Sequence, residues 1–166
     1  MMEMNFRKLP DNQHEILVRA RKGPDVRMPA QPVGPTLPHD LVHAVVETSL
    51  GIDDGFWGAM ARGATFEGFE LVFPSRHRRS GLKVLRRGGD AVMTAELSVN
   101  WAYRVWLGLP TEGRGIGRAP LDEAALARTT PRLDSAAARW AALPDGGELL
   151  WRWGWTGRDP QGRGRP

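Results

Sequence analysis

Both ends of the chain alternate apolar and polar residues with a period of two, the pattern of half-buried β-strands. At the N-terminus this alternation covers residues 2–7 and 16–21, and residues 10–13 between them have turn-forming composition. At the C-terminus the alternating apolar positions are Leu149, Trp151, Trp153 and Trp155. We therefore predict an antiparallel N-terminal hairpin that is joined by a C-terminal strand, with the tryptophan face toward the core.

Residues 37–50 have the clearest helical pattern. Apolar residues recur there at spacings of three and four, Pro38 suits the first turn, and Gly51 suits a C-terminal stop. The acidic pair Asp53 and Asp54 follows and is placed to cap a short second helix. The middle of the chain therefore begins with two helices in succession.

Further helices are predicted in the second half of the chain. Residues 90–107 are apolar nearly all round, so we expect this helix to be the central one. Pro120 and Pro131 each suit a helix start, which predicts two separate short helices before the last strand.

Three segments have a less regular pattern. Residues 23–36 contain four prolines, which predict an extended surface crossover without a regular element. Residues 64–73 are apolar but too short to distinguish helix from strand. Residues 156–166 are rich in Gly, Arg and Pro, and we predict a disordered basic tail. The expectation is one α+β domain over residues 1–155, with helices covering a small antiparallel sheet.

Composition narrows the classes of function. The chain has 166 residues and no cysteine, so its core needs no disulfide and a metal site would need imidazole or oxygen ligands. It contains no run of about 18 apolar residues and no signal-peptide core. These features predict a cytoplasmic protein without a membrane segment.

The net charge of +4 is distributed unevenly. One stretch without acidic residues holds Arg76, Arg78, Arg79, Lys83, Arg86 and Arg87. Arginine side chains suit phosphate groups, so nucleic-acid binding through Arg76–Arg87 is one hypothesis. The stretch has no aromatic residue on which a base could stack, and we favour a solvated loop.

The candidate chemistry is concentrated at the start of the first predicted helix. His39 and His43 are two of the four histidines in the chain, and Glu47 follows one turn later. Residues four apart are rotated by about 40° on a helix, so the three side chains form one stripe. Two imidazoles at this spacing can reach one metal ion at about 2.0 to 2.1 Å. His39, His43 and Glu47 are therefore candidate ligands of a divalent metal such as zinc.

A fourth candidate lies on the predicted central helix. Glu96 and Asn100 are polar residues four positions apart in an otherwise apolar stretch, and a buried carboxylate needs a partner. We favour an arginine as that partner. In the alternative, Glu96 is a metal ligand or general base that faces His43.

Two main interpretations of the histidines stay open. In the favoured one the protein is a non-catalytic domain that acts through a protein partner, and His39 and His43 hydrogen-bond to the preceding Pro-rich loop. In the other it binds a divalent metal, which could activate water in a hydrolase. The segment from His39 to His43 is similar to the H-E-x-x-H motif of zinc metalloproteases, but Asp40 replaces the glutamate and has a shorter reach.

A second resemblance rests on a longer stretch of sequence. The residues Leu37-Pro38-His39-Asp40-Leu41-Val42-His43, with Gly55-Phe56-Trp57-Gly58, resemble a bacterial protein family that shares a Pro-His-Asp-Leu-x-His helix start. The resemblance implies no activity.

Overall fold

The structure, a computed structural model, describes residues 1–73, 83–85, 89–111 and 119–154. In chain order its elements are β1 Met2–Leu9, β2 Gln13–Arg19, β3 Val26–Pro32, α1 His39–Leu50, α2 Phe56–Ala61, β4 Ala64–Phe66, β5 Glu70–Leu71, β6 Lys83–Leu85, α3 Asp90–Trp106, α4 Glu123–Ala141 and β7 Glu148–Trp153. This composition confirms the predicted α+β class. Trp155, the tail 156–166 and most of the basic stretch lie outside the described residues.

Both ends of the chain contribute to one antiparallel sheet with the strand order β5-β3-β2-β1-β7. Leu9 pairs with Gln13 across the hairpin, and Met2 pairs with Trp153 on the other side of β1. Alternate residues on these strands face the core, namely Met2, Met4, Phe6, Ile16, Val18, Leu149 and Trp153. The predicted hairpin, C-terminal strand and core-facing tryptophan face are therefore confirmed for the described residues.

The strand β3 corrects the prediction that residues 23–36 contain no regular element. Its pairing with β2 is irregular, because the register shifts between His14 and Ile16. Pro29 falls in the unpaired stretch opposite this shift, so its missing N–H removes no ladder hydrogen bond, and Pro32 is the last residue of the strand. The prolines are therefore compatible with a strand at these positions.

Helix α1 is the central helix, and it contacts α2, α3, α4 and β7. Its buried residues are Leu41, Val42, His43, Ala44, Val45, Val46 and Glu47. The expectation that α3 would be central is wrong, since Met93 and Leu97 on α3 are exposed. The apolar residues all round α3 therefore reflect a face that points to solvent as well as a face in the core.

A single helix, α4, replaces the two short helices predicted from Pro120 and Pro131. The Asp122 side chain caps it by accepting a hydrogen bond from the Ala125 N–H at 2.8 Å, and Pro131 lies inside it. Its buried stripe crosses the proline and consists of Ala125, Thr129, Leu133, Ala136 and Trp140. Packing of this stripe outweighs the cost of an interior proline, which is about 3 kcal/mol.

The segment 64–73, which the sequence left ambiguous, contains two short strands. β4 pairs in parallel with β6, and β5 extends the main sheet beside β3.

Among the described residues, no helix combines the length and the apolar character that a membrane crossing needs.

Candidate metal centre

The N-terminal turns of α1 position the two histidines. Pro38 precedes the helix in an extended conformation, and Gly51 ends it with a φ of 66°. His39 lies at the exposed rim, and His43 lies one turn deeper, where it is 2% exposed. The two rings pack edge to face with centroids 4.8 Å apart. The predicted stripe therefore runs from the surface into the core.

Glu96 on α3 is the carboxylate that both imidazoles face. Its Oε1 is 3.2 Å from His39 Nε2, and its Oε2 is 2.7 Å from His43 Nε2. The Asn100 side-chain amide donates to Oε1 at 2.9 Å. Within the described ranges of the chain, Glu96 therefore contacts the two histidines, as in the alternative raised from sequence, together with Asn100, and not the arginine that was favoured.

Glu47 lies on the opposite side of the His43 ring. Its Oε1 is 2.9 Å from His43 Nδ1, and its carboxylate also accepts hydrogen bonds from the backbone N–H groups of Phe56 and Trp57. These two N–H groups are at the N-terminus of α2, so Glu47 caps that helix, whereas no side chain of the adjacent Asp53 and Asp54 does so. Glu47 thus orients His43 and stands apart from the group that faces His39.

Gly55 makes this arrangement of Glu47 possible. A Cβ atom at position 55 would lie 2.7 Å from Glu47 Cδ and 2.9 Å from the Ala95 Cβ. Any larger residue would therefore push the carboxylate away from the start of α2. The sequence Gly55-Phe56-Trp57 supplies two donors and the space in which Glu47 fits.

Carboxylates on both sides make His43 a strong base. Burial alone lowers its pKa, but hydrogen bonds to Glu47 and Glu96 outweigh burial and raise the pKa to about 9. Hydrogen bonds from His39 and His43 in turn hold the pKa of Glu96 well below its usual range. Desolvation raises the pKa of the nearby Asp40 carboxyl, and the charges of His43 and His39 oppose that rise. Without a metal, His43 is an imidazolium that donates from both ring nitrogens.

Three of these groups could ligate one metal ion. His39, His43 and Glu96 each offer one ligand atom, and these atoms lie within 4.8 Å of one another. Ligand distances of about 2.0 to 2.2 Å around zinc need only a small approach of the three side chains. His39 is 47% exposed and Glu96 is 43% exposed, so an ion can enter from solvent.

The structure therefore brings together two of the three ligands proposed on α1 and the additional residue Glu96. The third residue of the stripe, Glu47, contacts His43 Nδ1 instead. The favoured interpretation expected both histidines to hydrogen-bond to the Pro-rich loop. Among the described residues, neither histidine does so. The connection to that loop is made by Tyr103, whose ring lies 6.4 Å from His39 and whose hydroxyl hydrogen-bonds to Thr36 at 3.1 Å.

Tyr103 is the member of this rim whose contact with His39 the sequence did not predict. The available signal was its position on α3, three residues after Asn100 and seven after Glu96, which places all three on one helical face.

Comparison of the chain with family models, with curated proteins and with solved structures gave no match. Functional inference therefore depends on the geometry of these residues.

Proposed function

We propose that this protein binds a divalent metal ion through His39, His43 and the carboxylate of Glu96. The observation that carries the proposal is the environment of His43. Its Nδ1 is fixed by the buried Glu47 carboxylate, and its Nε2 points toward a second imidazole and a second carboxylate. Histidine ligands of metals commonly have such a carboxylate on the nitrogen that does not bind the metal.

The charges around the two imidazoles also favour a cation. Glu47, Glu96 and Asp40 can carry three negative charges around His43, whose imidazolium carries one positive charge. A divalent ion that replaces the Nε2 proton of His43 would offset this excess of acid in a partly desolvated site. Metal binding and proton release are therefore coupled at His43.

The ligand types favour zinc or another metal that accepts imidazole and carboxylate ligands. Three protein ligands leave at least one position for water, which is the composition of catalytic zinc sites. Such a metal lowers the pKa of its bound water to about 7, and hydrolysis is the reaction class that this water would serve.

Metal titration of tag-free protein tests the proposal. We expect isothermal titration calorimetry with Zn²⁺, Mn²⁺ and Ni²⁺ to find one site per chain, and elemental analysis after dialysis to find one equivalent of the preferred metal. His39→Ala and Glu96→Gln should each abolish stoichiometric binding, because each removes one of three ligands. The matched control is Glu67→Gln, an exposed carboxylate on a turn away from the site.

The variants at the half-exposed residues His39 and Glu96 decide this test, because replacing the buried His43 by alanine could also unfold the protein. Far-UV circular dichroism should show that His39→Ala and Glu96→Gln keep the helical content of the unmodified protein. Metal binding that persists unchanged in both variants, or is absent from the unmodified protein, would overturn the proposal.

A further inference from the structure

Helix α3 turns a row of apolar side chains toward solvent. Met93 is 59% exposed, Leu97 is 50% exposed, and Trp101 is partly exposed one turn further along. The residues that α3 contributes to the core, among them Val99 and Ala102, lie on the opposite side of the helix. The exposed row is therefore a second apolar face, additional to the one that packs in the domain.

This row is extended at both ends by residues of opposite charge. Asp90, Met93, Leu97, Trp101 and Arg104 follow one another at spacings of three, four, four and three residues. All five lie within about 40° of Leu97 around the helix axis. The pattern has the same spacing when it is read from either end, with an acid at one terminus and a base at the other.

We propose that α3 forms an antiparallel homodimer contact around a two-fold axis at Leu97. In this arrangement Leu97 meets Leu97 of the second copy, Met93 meets Trp101 of the second copy, and Asp90 lies beside Arg104 of the second copy. A two-fold contact needs a self-complementary surface, and the spacing and charges of this row supply one. A parallel arrangement would instead place like charges together, which disfavours it.

The contact is independent of the proposed metal centre. Glu96 is rotated by about 100° from Leu97 on the helix, so its carboxylate can face His39 and His43 while the apolar row faces the second copy. Arg104 is also fixed near the end of the row, because its Nε donates to the Pro110 carbonyl at 2.9 Å. The basic charge therefore occupies a defined position at the C-terminal end of the row, and Asp90 lies in the first turn at the other end.

Sedimentation equilibrium of the full chain, from micromolar to millimolar concentration, tests the proposal. We expect a reversible monomer–dimer equilibrium for the unmodified protein. Asp90→Arg and Arg104→Asp should each raise the dimer dissociation constant by about tenfold, because each places two like-charged pairs across the two-fold axis. The double variant D90R/R104D should recover the original dissociation constant.

Mixing the two single variants, Asp90→Arg and Arg104→Asp, provides a second test that needs no further variant. One variant has two basic ends and the other has two acidic ends, so an equimolar mixture should form heterodimers more tightly than either variant forms homodimers. Leu97→Glu should abolish association, and Arg139→Asp, a matched change in the last turn of α4, should have no effect. A monomeric unmodified protein, or a double variant no better than the singles, would overturn the proposal.

Discussion

His14 and His43 are both buried, but their imidazoles have opposite surroundings. His14 lies on β2 beneath the edge of the Trp140 ring, with centroids 6.4 Å apart, and neither of its nitrogens has a hydrogen-bond partner among the described residues. Burial lowers its pKa, and the nearby backbone of Gln31 offsets this only in part. His43 has a carboxylate on each nitrogen, and its pKa is raised to about 9.

The comparison shows that burial alone does not set the charge of a histidine. A buried charge is stable only when nearby groups replace the water that it loses. His14 lacks such groups and is a neutral core residue between the sheet and α4. His43 has two, and the carboxylates that stabilise its proton are also the groups that would support a metal ion. The difference separates a packing histidine from a candidate ligand.

The largest predicted difference comes from replacing each histidine by leucine. His43→Leu leaves Glu47 buried without its imidazole partner, although two backbone N–H groups remain, and should reduce the free energy of unfolding by about 3 kcal/mol. His14→Leu removes two unpaired polar atoms and should change that free energy by less than about 1 kcal/mol. Urea unfolding of both variants without metal measures the contrast. Equal losses would mean that the carboxylates are not what distinguishes the two sites.

A smaller effect is expected from Glu47→Gln. This prediction depends on the proposed metal site. The amide oxygen of glutamine can still accept a hydrogen bond from the start of α2, so the fold should persist. The charge that supports His43 is lost, and the affinity for metal should fall by about tenfold to a hundredfold. Calorimetric titration measures this change against the Glu67→Gln control. An affinity equal to that of the control would remove Glu47 from the site.

Effects confined to part of the pH range should appear in the stability of metal-free protein. The pKa of His14 is lowered in the folded state from its ordinary 6.5, so its contribution is complete above that pH and is lost as the pH falls below it. The pKa of His43 is raised, so its contribution is complete below about 6.5 and is lost as the pH rises through about 9.

Urea unfolding at a series of pH values tests both pH ranges, the acid range in which the contribution of His14 is lost and the alkaline range in which that of His43 is lost. His14→Leu should reduce the loss of stability on the acid side, and His43→Leu should reduce the loss on the alkaline side. Above the ordinary pKa of a glutamate, about 4.3, the two variants serve as controls for each other, because only at lower pH does His43→Leu also affect the titration of Glu96, whose pKa His43 lowers. A variant that alters both ranges equally would contradict the separate titrations.

The parts of the fold that the sequence predicted depend on local periodicity. The N-terminal hairpin, the C-terminal strand and α1 have patterns that are complete within each segment. The regularity of β3 and the continuity of α4 depend on distant partners, namely an irregular register with β2 and a long packing stripe. The prolines therefore predicted breaks in β3 and α4 that do not occur, because tertiary contacts accommodate a proline at these positions.

The candidate site was predictable to the same limited extent. Spacing on one helix places His39 beside His43, but Glu96 is 57 residues from His39 and reaches it only because α3 packs on α1. Glu47 belongs to the predicted stripe, yet two steps of about 40° rotate it away from His39 and toward α2. A one-dimensional pattern cannot show which side of an imidazole a carboxylate will occupy.

The three hydrogen bonds accepted by Glu47 have a consequence for how this chain can evolve. A change at position 47 removes the partner of His43 and the cap of α2 together, and a change at Gly55 displaces the same carboxylate. Single substitutions at these positions are therefore expected to destabilise the fold more than simultaneous replacements that keep the side chain at position 47 matched to its surroundings. Positions 43, 47 and 55 should be inherited as one epistatic unit.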